Sequence, residues 1–344
     1  MTQTPLMTLL HVSDLHFGEL DPDSGDHPLD AQTLAYWKLN RGFDGYLGHT
    51  WRALCALSDL YFELQDGLGH EERLHVVVSG DLTTTGRGSQ IATALQFLTG
   101  TLKHGGSTKI GFGLSLDDCT IVPGNHDHWP GRRFMMGAPT PDFGPAFHVP
   151  YPKSGVRIPL GGMCSLVLAQ IDSDDEVGHW SKDRLLARGS FVQQCLVLEA
   201  QLGSSLPNEL RVLVVHHSTI DRGDPSSKLK VDAVSLQALQ RLVASSGIKV
   251  VLTGHWHFYD FLHSSLYAIH EARCGTTTVR DYFNGRRLYP NGALVHRLSH
   301  DGTKINWATE VWLRPLLLTT TNPRVPVGSR FEYNERIDFG TVWP

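Results

Sequence analysis

Ile121 to Pro130, IVPGNHDHWP, is the stretch on which the reading of this chain turns. An apolar run stops at Gly124, and Asn125, His126, Asp127 and His128 follow in direct succession. Gly and Asn tolerate positive φ and Pro closes the segment, so one reading is a turn. Asn, His and Asp are also metal ligands or proton carriers, so the other reading is a site. The rest of the chain decides between them.

The same grammar recurs outward from this stretch. LMTLLHVSD ends at Asp14, LHVVVSGD at Asp81, MCSLVLAQIDS at a polar cluster, RVLVVHHS at His216 and His217, and IKVVLTGHWH at His255 and His257. Each is an apolar run of strand length that stops at Asp, Asn or His. Between them, HTWRALCALSDLYFELQD, SFVQQCLVLEAQLG and AVSLQALQRLVASSG carry apolar residues at helical spacing. Alternating strands and helices predict an α/β protein with parallel strands, whose carboxyl ends share one crevice for ligands. Past residue 257 the runs LYAIHEARCG, GALVHRLSH and TKINWATEVW predict a second, mostly antiparallel sheet. Residues 18–48 read as an insertion or lid over the site, and 313–344 as a C-terminal extension beyond a domain of residues 1–312.

The bulk numbers narrow the function classes. At 344 residues the chain can bury a large core, and 41% hydrophobic with 19% charged residues is ordinary for a globular protein. A net charge of -5 disfavours a nucleic-acid partner. No apolar run reaches membrane-spanning length, and the N-terminal residues lack a basic region and a long apolar stretch, so a cytoplasmic protein without a membrane partner is expected. Five cysteines without a CxxC pair support neither a disulfide framework nor a zinc knuckle, and Cys55, Cys164 and Cys195 read as buried thiols. Nineteen scattered histidines are the unusual feature. Histidine is the commonest metal ligand and a proton carrier near neutral pH.

Asp14 and His16, and likewise His255 and His257, stand two apart, a spacing that turns both members of a pair to one side of an extended strand end. With Asp81, Asn125 and a His of the 216–217 doublet they make more ligands than one ion takes from protein. Two ions sharing a carboxylate account for the surplus. A single-zinc hydrolase built on His255 and His257 is the alternative, and it leaves Asp14, Asp81 and Asn125 without a role.

The ordered set SDLHFG, SGDLTTTGR, VPGNHD, VVHHS and TGHWH followed by CGTTT resembles the calcineurin-like metallophosphoesterase superfamily, over residues 10 to 281, with its class III cyclic-nucleotide phosphodiesterases nearest in texture. The resemblance implies a four-layer α/β/β/α sandwich with two mixed sheets flanked by helices. It places Asp14, His16, Asp81 and His257 on one ion, and Asp81, Asn125, His216 and His255 on a second, the ions being Mn, Fe or Zn. His126 is then the general acid beside the leaving oxygen and Asp127 its holder, while a bridging hydroxide attacks phosphorus. His217, His128 and Arg222 are candidates for contact with a small-molecule phosphoester.

Thr84 stands where purple acid phosphatases carry Tyr, and LTTTG and GNHD differ from the protein-phosphatase motifs. Ser218 follows the His doublet where such phosphodiesterases usually have Pro, which bears on the substrate pocket. The expected activity is therefore phosphodiester hydrolysis, with a phosphomonoesterase, a nuclease-branch enzyme and a non-catalytic scaffold as alternatives. A homodimer is compatible with the extension.

Overall fold

The structure is a computed structural model that describes residues 3–18, 49–84, 86–104, 108–128, 150–162, 164–177, 189–220, 231–264, 269–278, 282–283, 287–288, 290–315 and 330–343. Nearly all of the expected lid at 18–48, and Arg222 with residues 221–230, lie outside these.

The chain opens with strand β1 (Thr4–Val12), helix α1 (Trp51–Asp66) and strand β2 (Arg73–Val78), and β1 and β2 run parallel as a crossover unit requires. The Thr50 hydroxyl caps α1 by accepting from the Ala53 amide. Ala53, Leu54, Leu57, Leu60, Tyr61 and Leu64 then form the buried stripe that seats the helix. Helix α2 (Gly88–Thr99), absent from the sequence reading, follows. A hairpin of β3 (Leu102–His104) and β4 (Thr108–Ile110) leads to β5 (Cys119–Ile121), parallel to β2.

The second half begins with the antiparallel pair β6 (Lys153–Leu160) and β7 (Cys164–Gln170). It continues through α3 (Val192–Leu202), β8 (Glu209–Val214), α4 (Ala233–Ser246) and β9 (Ile248–Thr253), with β7, β8 and β9 parallel. Next come β10 (Asp260–Ser264), β11 (Ile269–Arg273) and the two-residue strands β12 (Tyr282–Phe283) and β13 (Arg287–Leu288). Strands β14 (Gly292–His300), β15 (Ile305–Leu313) and β16 (Glu332–Trp343) complete the order.

Two six-stranded sheets result, β16-β15-β14-β1-β2-β5 and β10-β11-β9-β8-β7-β6. Alternate residues of each parallel strand face opposite layers. In β1, Leu10 and Val12 pack under α1 and α2, whereas Met7 and Leu9 meet the other sheet. In β8, Val212 and Val214 meet the first sheet while Leu213 packs under α3 and α4. Both faces are covered, which explains the nearly unbroken apolar runs. The four-layer α/β/β/α sandwich is therefore the fold.

The expectation of a separate antiparallel sheet past residue 257 is corrected. Strands β14–β16 extend the first sheet antiparallel from β1, and β10 and β11 extend the second. The described end of the C-terminal segment is likewise an edge strand of the first sheet, paired with β15. Its pattern hid this, because an edge strand exposed along most of its length needs no apolar run.

Candidate metal centre

Every parallel strand that was read as ending in a polar cluster does stop there, but the candidate ligands do not sit on extended backbone. Asp14, His16, Asp81, His255 and His257 have φ of 50°, 47°, 50°, 73° and 56°. Among the described residues these are the non-glycine positions with positive φ. Left-handed backbone costs roughly 1–2 kcal/mol per residue, so the surrounding structure must impose it. The Asp14 and His16 amides donate to the Gly80 and Asp81 carbonyls at 3.0 and 2.9 Å, zipping the first turn onto the second. The Asp14 carboxylate in turn accepts from the His255 amide at 3.0 Å. Two glycines make room: a β-carbon on Gly124 would overlap Asp81, and one on Gly254 would overlap Ser13 and crowd Asp14.

These turns bring the side chains together. Asp14, His16, Asp81 and His257 each offer one ligand atom, all within 4.8 Å of one another, and Asp81, His216 and His255 do the same. Asp81 belongs to both groups. Its Oδ2 lies 3.6 Å from His16 Nε2 and 3.4 Å from His216 Nε2, and His257 Nε2 stands 3.2 Å from Asp14 Oδ1. His216 Nδ1 donates to the Ser79 carbonyl at 2.8 Å, leaving Nε2 to face Asp81. Both His16 nitrogens, Asn125 Oδ1 and His255 Nε2 are buried without a hydrogen-bond partner. Buried polar atoms are otherwise satisfied almost everywhere, and hard or borderline cations take this mixture of carboxylate, amide and imidazole, so the residues fit a pair of ions.

The electrostatics favour the ligand forms at most positions. Burial pushes His16 down to about 3 and holds His255 well below the usual imidazole range, so both rings are neutral at neutral pH. Burial alone would raise Asp81, but His216 and His126 hold its carboxyl well below the ordinary range. Burial opposes charge on His216 too, yet the Asp81 carboxylate outweighs it and raises the imidazole to about 9.

The residues flanking the cluster are placed as follows. The His126 ring stands edge-on to His16 at 4.6 Å between centroids, and its Nδ1 donates to the Thr84 carbonyl at 2.8 Å. Asp127 was expected to hold this imidazole, and the structure corrects that role. Its carboxylate accepts from the amides of Leu82, Thr83 and Gly124 and from the Thr83 hydroxyl, so it ties the GNHD turn to the SGDLT turn. Burial, and Asp81 beside it, raise Asp127 to about 6. His217 Nδ1 shares a 2.7 Å bond with the Ser173 hydroxyl, and His128 Nε2 donates to Asp172 at 2.9 Å. Asp172 and Ser173, from the turn after β7, were not singled out in the sequence, although IDSDD follows the same strand-end grammar.

The calcineurin-like phosphoesterase profile matches residues 7–259, about three quarters of the chain and all of the cluster. The chain belongs to the calcineurin-like phosphoesterase family. Its fold is shared with GAP50, the anchor in the inner membrane complex of Plasmodium, at a TM-score of 0.50 and 9% identity over 96% of this chain and 90% of that one. It is also similar to a dimetal phosphatase from Danio rerio, at a TM-score of 0.49 and 12% identity over 98% and 99% of the two chains. For purple acid phosphatase PPD1 from yellow lupin the values are 0.47 and 14%, over 90% of this chain and 52% of that one. No curated protein matches the sequence significantly. No helix among the described residues of this calcineurin-like phosphoesterase is long and apolar enough to cross a membrane.

Proposed function

We propose that this calcineurin-like phosphoesterase hydrolyses a small phosphodiester with two metal ions. Asp14, His16, Asp81 and His257 would hold one ion, and Asp81, Asn125, His216 and His255 the other. The observation that carries this reading is the position of Asp81 in both ligand groups, among buried atoms that lack hydrogen-bond partners. A pair of cations supplies Lewis acidity there, activating water and offsetting charge on the phosphoryl oxygens. Mn²⁺, Fe and Zn²⁺ all suit the donor set.

The protein groups divide the remaining work. The Thr84 carbonyl can only accept, so it keeps a proton on His126 Nδ1 and leaves Nε2 to carry the acid proton to the leaving oxygen. Asp127 organises the turn from which His126 projects. His217 and His128, fixed by Ser173 and Asp172, line the approach to phosphorus and contact the substrate. The diester specificity rests on the texture of SDLHFG and TGHWH. A cytoplasmic location agrees with five cysteines that are all free thiols.

The test is hydrolysis of bis(p-nitrophenyl) phosphate against p-nitrophenyl phosphate by metal-stripped protein, with Mn²⁺, Fe²⁺ and Zn²⁺ restored separately and metal counted per chain. Metal-dependent cleavage favouring the diester, with two ions bound, is the expected result. Preference for the monoester would make it a phosphatase, and inactivity with every metal would remove the catalytic reading.

A further inference from the structure

Behind the ligand turns, a buried network on β11 ties the turn after β8 to the turn after β9. Glu271 and Arg273 are 0% and 2% exposed. Glu271 Oε2 accepts from the Thr219 amide at 2.8 Å and its hydroxyl at 2.6 Å. Oε1 accepts from the Ser218 hydroxyl at 2.6 Å and from Thr253 at 3.2 Å. Arg273 Nη2 donates to Ser218 Oγ at 2.6 Å, and its guanidinium lies over the Trp256 ring, 5.3 Å from the centroid.

Sequence adjacency gives these contacts their meaning. Ser218 and Thr219 follow His216 and His217, and Trp256 stands between His255 and His257. One carboxylate thus grips the turn bearing His216, and one guanidinium braces the turn bearing the other two imidazoles. The Ser218 hydroxyl joins the two grips, accepting from Arg273 while donating to Glu271. A Pro at 218 would leave both buried charges short of a partner.

We propose that Glu271 and Arg273 are positioning residues of the metal centre, holding the His216 turn and the His255–His257 turn at a fixed separation, with Ser218 as their joint. This rests on the two-ion reading above. A purely structural ion pair is available for comparison at the other end of β8. There Arg211 bonds Glu209 and the carbonyls of Leu202, Gly203 and Ser246.

The experiment titrates metal-free protein with Co²⁺, reading stoichiometry and Kd by calorimetry and ligand geometry by the visible absorption bands, alongside the melting temperature of each metal-free variant. Wild type takes up two Co²⁺. Glu271→Gln weakens Co²⁺ binding by about 10–100-fold, the usual scale for groups that orient ligands, and alters the visible bands. Glu209→Gln lowers the melting temperature and leaves Co²⁺ affinity at the wild-type value. Ser218→Ala moves Kd in the same direction as Glu271→Gln and replaces it as the deciding variant if Glu271→Gln does not fold. Wild-type affinity and bands in the deciding variant overturn the positioning role while the two-ion reading stands. Failure of wild type itself to take up two Co²⁺ overturns both.

Discussion

A β-carbon on Gly124 would overlap the Asp81 carboxylate and the Asp81 backbone nitrogen, so the GNHD turn closes directly over the shared acid. Gly124→Ala must therefore push the turn or the carboxylate aside. The expected cost is about 1–3 kcal/mol of stability, the usual range for overpacking. Metal per chain should fall with it, and metal analysis beside urea melts checks both. A variant with full metal content would mean that the turn yields instead of Asp81.

Asp81→Ala removes the one residue common to both ligand groups. It should bind neither ion tightly and show no turnover. Retention of one ion at wild-type affinity, seen by metal analysis after gel filtration, would show that Asp81 serves a single site.

His126→Ala should keep two ions while kcat falls by about two to four orders of magnitude for substrates with poor leaving groups, the scale of general acid catalysis. Asp127→Asn should behave differently, because this carboxylate serves backbone amides and not the His126 ring. It should cost about 1–3 kcal/mol of stability through unsatisfied buried donors. A larger loss of kcat in Asp127→Asn than in His126→Ala would restore the role of holder that the geometry removes.

His75 is buried and bonded to the Thr120 hydroxyl at 2.8 Å, and burial lowers its imidazole from 6.5 to about 4. Between those values the unfolded chain binds the extra proton, so this contribution to stability is complete above about pH 6.5 and drains away as pH falls towards 4. The full effect is about 3 kcal/mol. The double variant His75→Leu with Thr120→Val removes both partners and should lose less stability than wild type between pH 7 and 4.5 in urea melts. Equal losses would exclude His75 as a source of acid sensitivity.

The parallel strands and three of the four α-helices among the described residues were legible in the chain because each buries a continuous or periodic apolar set. Helix α2 went unseen although Ile91, Ala94, Phe97 and Leu98 are buried at helical spacing. Strand β16 went unseen because its exposed residues are mostly charged or polar, Glu332, Asn334, Arg336 and Asp338 among them, and form no apolar run. At the candidate site, the strand-end clusters marked the residues that gather in space, but not their backbone conformation. Asp14 and His16 converge through left-handed backbone imposed by the neighbouring turn, a tertiary effect with no local signal. The Thr84 carbonyl that orients His126 is a main-chain group, which no side-chain pattern reveals. Glu271 and Arg273 lie in IHEAR, which reads simply as a strand.

Asp14, His16, Asp81 and Asn125 follow the strand ends of one sheet, while His216, His255 and His257 follow those of the other. Each candidate ligand group draws on both halves of the sandwich. An ion bound there acts as a rivet through the two slabs, and its affinity reports how well the halves are docked. Loading should therefore raise the melting temperature of the whole molecule and slow the parting of the sheets, so that metal supply sets the lifetime of the folded protein as well as its chemistry.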